Sequence, residues 1–218
     1  MSDLPIDPFN ADAAILFVEG QLYFQSKKDG GQTSVKAIAH SDVRAAFSRV
    51  EMDSGWLPIS VRRFGENRNG PWFVSFQEPE MHKLNLGPAF GEIEVALPPM
   101  LFAGFGSEHY VWALANRRCD LKSPLYYAPL PNVHGDGKIC WGQNEPPVVS
   151  PSNVEKSWRF FLSAEFNGDL RGGKSHTHDD IRQQLIACAG IRRYPIKDLV
   201  KAREQLGWWV DYSIRQGE

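Results

Sequence analysis

Residues 125–142, LYYAPLPNVHGDGKICWG, decide how the chain is read. The stretch has neither helical nor strand periodicity. Pro129, Pro131, Gly135 and Gly137 punctuate it, and one cysteine, Cys140, stands near its end beside Trp141. The same texture runs from residue 116 to residue 150, and so long an irregular connection in a compact domain tends to be functional. A cysteine in such a loop offers its sulfur to solvent and to a partner, whereas one inside a periodic element packs into the core. Cys188, in IACAG, reads as packing on the apolar side of a helix. Cys119, in NRRCD, reads as exposed, with Arg117 and Arg118 placed to lower its pKa but with no base beside it.

Upstream of the loop the pattern is β. AAILFVEG, QLYFQ and TSVKAIA, separated by Gly20 and the turn cluster at 28–31, read as a hairpin or three-stranded meander. Ser41 or Asp42 can cap a short helix whose apolar face is Val43, Ala46, Phe47 and Val50. LPISVRRF, GPWFVSFQ, EIEVALP and HYVWALA are further strands, while Pro98, Pro99, Gly104 and Gly106 predict an irregular PPMLFAGFG. Downstream, Ser150 to Asn153 start a helix with an apolar stripe at Val154, Trp158, Phe161 and Leu162. A second helix is expected over 179–189 and a third over 196–212. In the third, the adjacent Trp208 and Trp209 cannot share one face, so one can stay exposed. The fold class is α+β, strands first and helices last.

Composition narrows the function classes. Of 218 residues, 42% are hydrophobic and 23% charged, the mix of an ordinary globular protein. With 24 Lys and Arg against 26 Asp and Glu the net charge is −2, which argues against a nucleic-acid binder. No apolar run reaches the roughly 18 residues that cross a bilayer, and the acidic, Pro-bearing start is unlike a signal or transit peptide. Three cysteines at unrelated spacings, with no C-x-x-C pair, form neither a disulfide framework nor a zinc site. A cytoplasmic protein without membrane attachment is the expectation.

The run Pro131-Asn132-Val133, then Gly137-Lys138-Ile139-Cys140-Trp141, resembles the active-site segment of ubiquitin-conjugating (E2) enzymes. There a His-Pro-Asn motif is followed by a turn with glycine three residues before the catalytic cysteine. The asparagine precedes the cysteine by eight positions, as Asn132 precedes Cys140. The resemblance is strongest over 124–142 and extends over 71–167, where the β pattern, the Pro98-Pro99 pair and the amphipathic helix keep the E2 order. With its unlike first 70 residues and C-terminal tail, the chain looks like prokaryotic E2 family D, the protein B family of the ParB-related, ThiF-related cassette (PRTRC) system. That resemblance implies an E2-like UBC domain over 71–218, with an antiparallel β meander and C-terminal helices, and a β-rich N-terminal extension over 1–70 packed on it.

It also implies roles. Cys140 would accept a ubiquitin-like modifier protein as a thioester from a ThiF-like, E1-related activating enzyme and pass it to an amine, with no cofactor of its own. A JAB-type peptidase belongs to the same cassette. Asn132 would donate to the developing oxyanion or brace the loop. Leu130 stands where most E2 enzymes have histidine, so that imidazole's bracing is absent, and His134 is a candidate substitute. In GGKSHTHDD, His176 and His178 lie where E2 enzymes often place a polar gate for the incoming amine. Their alternatives are a metal site with Asp179 and Asp180, or a plain loop whose aspartates favour the next helix N-terminus. Two other readings stand beside the enzyme: a non-catalytic E2-like adaptor that binds a ubiquitin-like protein or scaffolds a complex, and a cysteine hydrolase pairing Cys140 with a histidine such as His109.

Overall fold

A computed structural model describes residues 13–27, 32–47 and 55–215. The chain forms two compact units, Met1–Gly55 and Trp56–Glu218. In the first, β1 (Ala13–Val18), β2 (Gln21–Lys27) and β3 (Thr33–Ile38) make an antiparallel meander in that order, followed by α1 (His40–Phe47). Glu19 and Gly20, at φ 50° and 81°, form the two-residue turn from β1 to β2, where a doubly left-handed turn matches the twist of paired strands. The turn expected at 28–31 and the helix residue Val50 lie outside the described residues.

The second unit is built on β4 (Val61–Asn67), β5 (Gly70–Gln77), β8 (Met100–Phe105), β9 (Glu108–Ala113), β10 (Pro124–Tyr127) and β11 (Lys201–Gln205). They form one antiparallel sheet in the order β11-β10-β9-β8-β5-β4. A separate hairpin pairs β6 (Met81–Asn85) with β7 (Glu92–Ala96). In this unit β4 pairs with β5 from Val61 to Asn67. Three helices follow the loop region: α2 (Val154–Ser163), α3 (Ile181–Ala187) and α4 (Leu206–Arg215). The architecture is α+β with antiparallel sheets. No helix among the described residues is long and apolar enough to cross a membrane.

Three expectations are corrected. Residues 100–105, read as irregular, are the central strand β8, paired on both sides and buried through Gly104. The prolines only end the preceding connection, and Gly104 is a packing glycine, since a Cβ there would meet the Phe73 ring at 2.7 Å and Val149 at 2.9 Å. The third helix is a 3-10 turn (Ile196–Asp198), then β11, then α4 starting at Leu206. The alternation of buried Ala202 with exposed Lys201 and Arg203 has the strand period, not the helix period. Within the irregular stretch 116–150, the short strand β10 pairs with β9 and β11.

The sheet separates two apolar layers by strand alternation. Phe73, Phe102, Val111 and Ala113 join Trp158, Phe161 and Leu162 of α2 on one face. Val74, Leu101, Ala103, Trp112 and Leu114 join Leu206, Trp209 and Val210 of α4 on the other. Trp209 is buried, whereas Trp208 is exposed and stacks on Tyr212 at 5.1 Å.

On the α2 face, His109 is 1% exposed among Phe73, Phe102 and Trp141, and neither ring nitrogen has a hydrogen-bond partner. Burial draws its pKa down to about 4 from the ordinary 6.5. Between those values the unfolded chain binds the proton and the folded chain does not, so stability falls as pH falls from 6.5 toward 4. The full loss is about 3 kcal/mol. Urea midpoints across this range should drop for the wild type, and His109→Leu should remove that part of the drop.

Candidate functional site

The loop bearing Cys140 is irregular in sequence yet closed by backbone bonds. The N–H of Cys140 donates to the Asn132 carbonyl (2.8 Å), that of His134 to Lys138 (2.8 Å), and that of Gly137 to His134 (3.0 Å). Val133 and Ile139 pair as an antiparallel bridge. The result is a small hairpin with its turn at 134–137 and Asn132 opposite Cys140 across its mouth. Gly137 is required at that turn: its φ is 84°, and a Cβ would collide with the Trp112 indole.

Strand β9 anchors the hairpin from one side. The Ile139 N–H donates to His109 and the Val111 N–H to Gly137, each at 2.8 Å. The Lys138 ammonium pairs with Glu108, which also accepts from the Tyr110 hydroxyl at 2.6 Å. Those two donors hold the Glu108 carboxyl below its usual pKa.

Asn132 anchors it from the other side. Its side-chain amide donates to the Glu165 carbonyl (2.9 Å) and its backbone N–H to the Asp169 carbonyl (3.1 Å). Its φ of 58° lies in the left-handed region, which asparagine tolerates better than most residues. The amide therefore braces the loop against the segment that follows α2.

Cys140 is exposed and free. It opens into a cleft of about 310 Å³ whose other walls carry Asn132, Glu165, Asn167 and Asp169, with Trp141 and Phe161 beneath. The Asn167 amide donates to the Asp169 carboxylate (3.0 Å) and the Asp169 N–H returns to the Asn167 carbonyl oxygen of the side chain (2.8 Å), which orients that carboxylate. The cleft thus brings the Cys140 thiol and the side chains of Asn132 and Asn167 together with Glu165 and Asp169. The sequence reading missed both. Their signal was Asn167-Gly168-Asp169, a turn spelling placed directly after the amphipathic helix.

The structure brings Cys140 and Asn132 together and puts the histidines elsewhere. The imidazole of His134 is exposed at the turn and makes no hydrogen bond among the described residues. His176 and His178 are not among the cleft residues. His178 bonds Gln184 of α3 (2.9 Å), and the backbone of His176 donates to Asp198. The buried Asp198 gathers this segment, accepting from Ser175, Thr177 and Tyr194. Asp180 caps α3 by accepting from the Arg182 N–H, and the Arg182 guanidinium holds its carboxyl below the usual range. No group of metal-ligating side chains occurs among the described residues.

The other thiols are packed. Cys188 is buried beside Gln184, and burial pushes its pKa up. Cys119, expected to be exposed and activated, is half-buried against the α4-side core. There burial pushes its thiol up more than Arg62 draws it down. The unpartnered His109 nitrogens leave Cys140 without that imidazole as a base.

The family model described as prokaryotic E2 family D matches residues 35–202. That span covers both anchors of the loop and the whole cleft. No curated protein and no solved structure matches the chain.

The brace can be measured. Asn132→Gly keeps a left-handed turn and loses only the amide bond, and should cost about 1 kcal/mol in urea unfolding. Asn132→Ala adds the left-handed strain, roughly 1 kcal/mol more.

Proposed function

The chain belongs to prokaryotic E2 family D, and from that premise we propose that it carries a ubiquitin-like protein as a thioester on Cys140. The observation that carries this reading is the exposed Cys140 sulfur in a cleft walled by Asn132 and Asp169. The fold would be the UBC type, with the Asn132–Cys140 hairpin as its active-site loop. A ThiF-like, E1-related enzyme spends the ATP and supplies the modifier, whose acyl carbon forms a new bond to the Cys140 sulfur as the donor thiolate leaves. A thiolate suits the task because it is both nucleophile and leaving group, so the acyl group stays reactive.

In the second step an amine attacks the thioester carbon, the C–S bond breaks and Cys140 leaves as thiolate. The amine must shed a proton. Asp169, oriented by Asn167, is the carboxylate placed to accept it or to hold the amine in line. Asn132 keeps the two walls in register through its bonds to Glu165 and Asp169.

The test is a trap in the native host. Tagged wild type and Cys140→Ser are captured and their intact masses read with and without reductant. Wild type should show an added mass that reductant removes, and Cys140→Ser one that hydroxide removes. Bound partners without any covalent adduct, with the activating enzyme present, would identify a non-catalytic adaptor instead.

Asp169→Asn should leave loading of Cys140 unchanged and slow discharge to an amine by about 10²-fold, within the range general-base groups contribute. Single-turnover discharge of the preformed adduct reads this directly. Equal slowing of loading and discharge would count against the assignment.

A further inference from the structure

Lys174 is buried, 4% exposed, in a chain whose other lysines largely face solvent. Its ammonium donates to the Leu130 carbonyl at 2.6 Å and to the Val133 carbonyl at 2.7 Å. These two groups flank Pro131-Asn132, so one cation spans both ends of the left-handed turn. No ion pair reaches Lys174 among the described residues, and burial draws its pKa down to about 7. Short charge-assisted bonds to the carbonyls are what favour its charged form.

The local spelling suggests another use. GDLRGGKS, residues 168–175, conforms to the G-x-x-x-x-G-K-S pattern of a phosphate-binding loop. That motif needs a strand before it and a helix opening at the lysine. Here an irregular segment precedes it and α3 opens only at Ile181. Gly173, at φ 73°, reverses the chain so that the lysine turns inward, and Ser175 is held by Asp198 and by a bridge to Leu199. The lysine is committed to protein carbonyls.

We propose that Lys174 is the positioning residue of the active-site loop, its ammonium holding Leu130 and Val133 so that Asn132 and Cys140 face each other across the cleft. It replaces with a cation from a distant segment the bracing that a side chain at position 130 cannot give, since Leu130 is fully buried and apolar. Nothing in this role touches substrate. The effect on transfer rests on the thioester reading; the brace does not.

The experiment compares Lys174→Met, which keeps an unbranched apolar stem and loses the charge and donors, with Lys174→Arg, which keeps both charge and donors. Amide hydrogen exchange in the purified chain comes first. Lys174→Met should speed exchange at Asn132, His134 and Cys140 by about tenfold or more while β5 and β8 amides stay at wild-type rates. In the reconstituted system, Lys174→Met should slow discharge of the adduct by about 10²-fold, as expected for misplaced reacting groups. Lys174→Arg should restore part of both.

Wild-type exchange at the loop in Lys174→Met overturns the proposal, and so does uniform acceleration throughout the sheet, which would make the lysine merely a stabilising group. Faster loop exchange in Lys174→Met, together with a wild-type chain that never forms an adduct, would uphold the brace and overturn the thioester reading alone.

Discussion

The hydrogen bond from the Cys140 N–H to the Asn132 carbonyl is the contact on which the site depends. A long irregular segment has no ladder to satisfy its peptide groups, and unpaired buried ones are costly. This loop resolves the difficulty by folding onto itself between Asn132 and Cys140, then hanging from β9 through His109 and Val111. Cys140 is thereby fixed relative to a sheet strand. The same geometry explains why glycine occupies position 137, where the turn is left-handed and lies against Trp112.

The two sides of the cleft come from segments far apart in sequence, and polar bonds between them set its width. Asn132 reaches Glu165 and Asp169 beyond α2; Lys174 reaches back to Leu130 and Val133. Helix α2 carries this far wall because its buried stripe, Val154, Trp158, Phe161 and Leu162, seats it on the sheet. Trp141, next to Cys140, stacks on Phe160 and meets Phe161 edge-on, so the apolar layer continues beside the cysteine. Seating the helix thereby positions the residues that follow it, Glu165 to Asp169.

What was legible in the sequence was local. The irregular loop that carries Cys140 is legible by texture, its Asn132–Cys140 spacing by the E2 resemblance, and the β meander and α2 by period. Strand β8 was misread because glycine and proline were counted as breakers, when Gly104 is demanded by the Phe73 ring on the neighbouring strand. Strand β11 was misread because its continuation, α4, has a helical apolar stripe that was extended backward over it. The histidines at 176 and 178 drew notice as chemistry-bearing types, yet a buried aspartate, Asp198, organises their segment. Asp169 and Lys174 were invisible for a physical reason. An acid in a turn and a lysine in a glycine-rich stretch both have solvated surfaces as their ordinary home, and only long-range folding gives them partners.

The carbonyls of Leu130 and Val133 show how a tight turn can find its hydrogen-bond donor in a distant segment. The turn at Pro131-Asn132 leaves flanking carbonyls facing inward, and each needs a donor. A side chain at position 130 could supply one locally. Here that side chain fills the core, and the donor arrives as a buried cation from residue 174. A lysine serves both carbonyls at once, which a single ring N–H cannot, and its desolvation is tolerable because the bonds it makes are short and charge-assisted. The loop retains its geometry through an interaction that also links it to the segment preceding α3, in addition to the bonds Asn132 makes to Glu165 and Asp169.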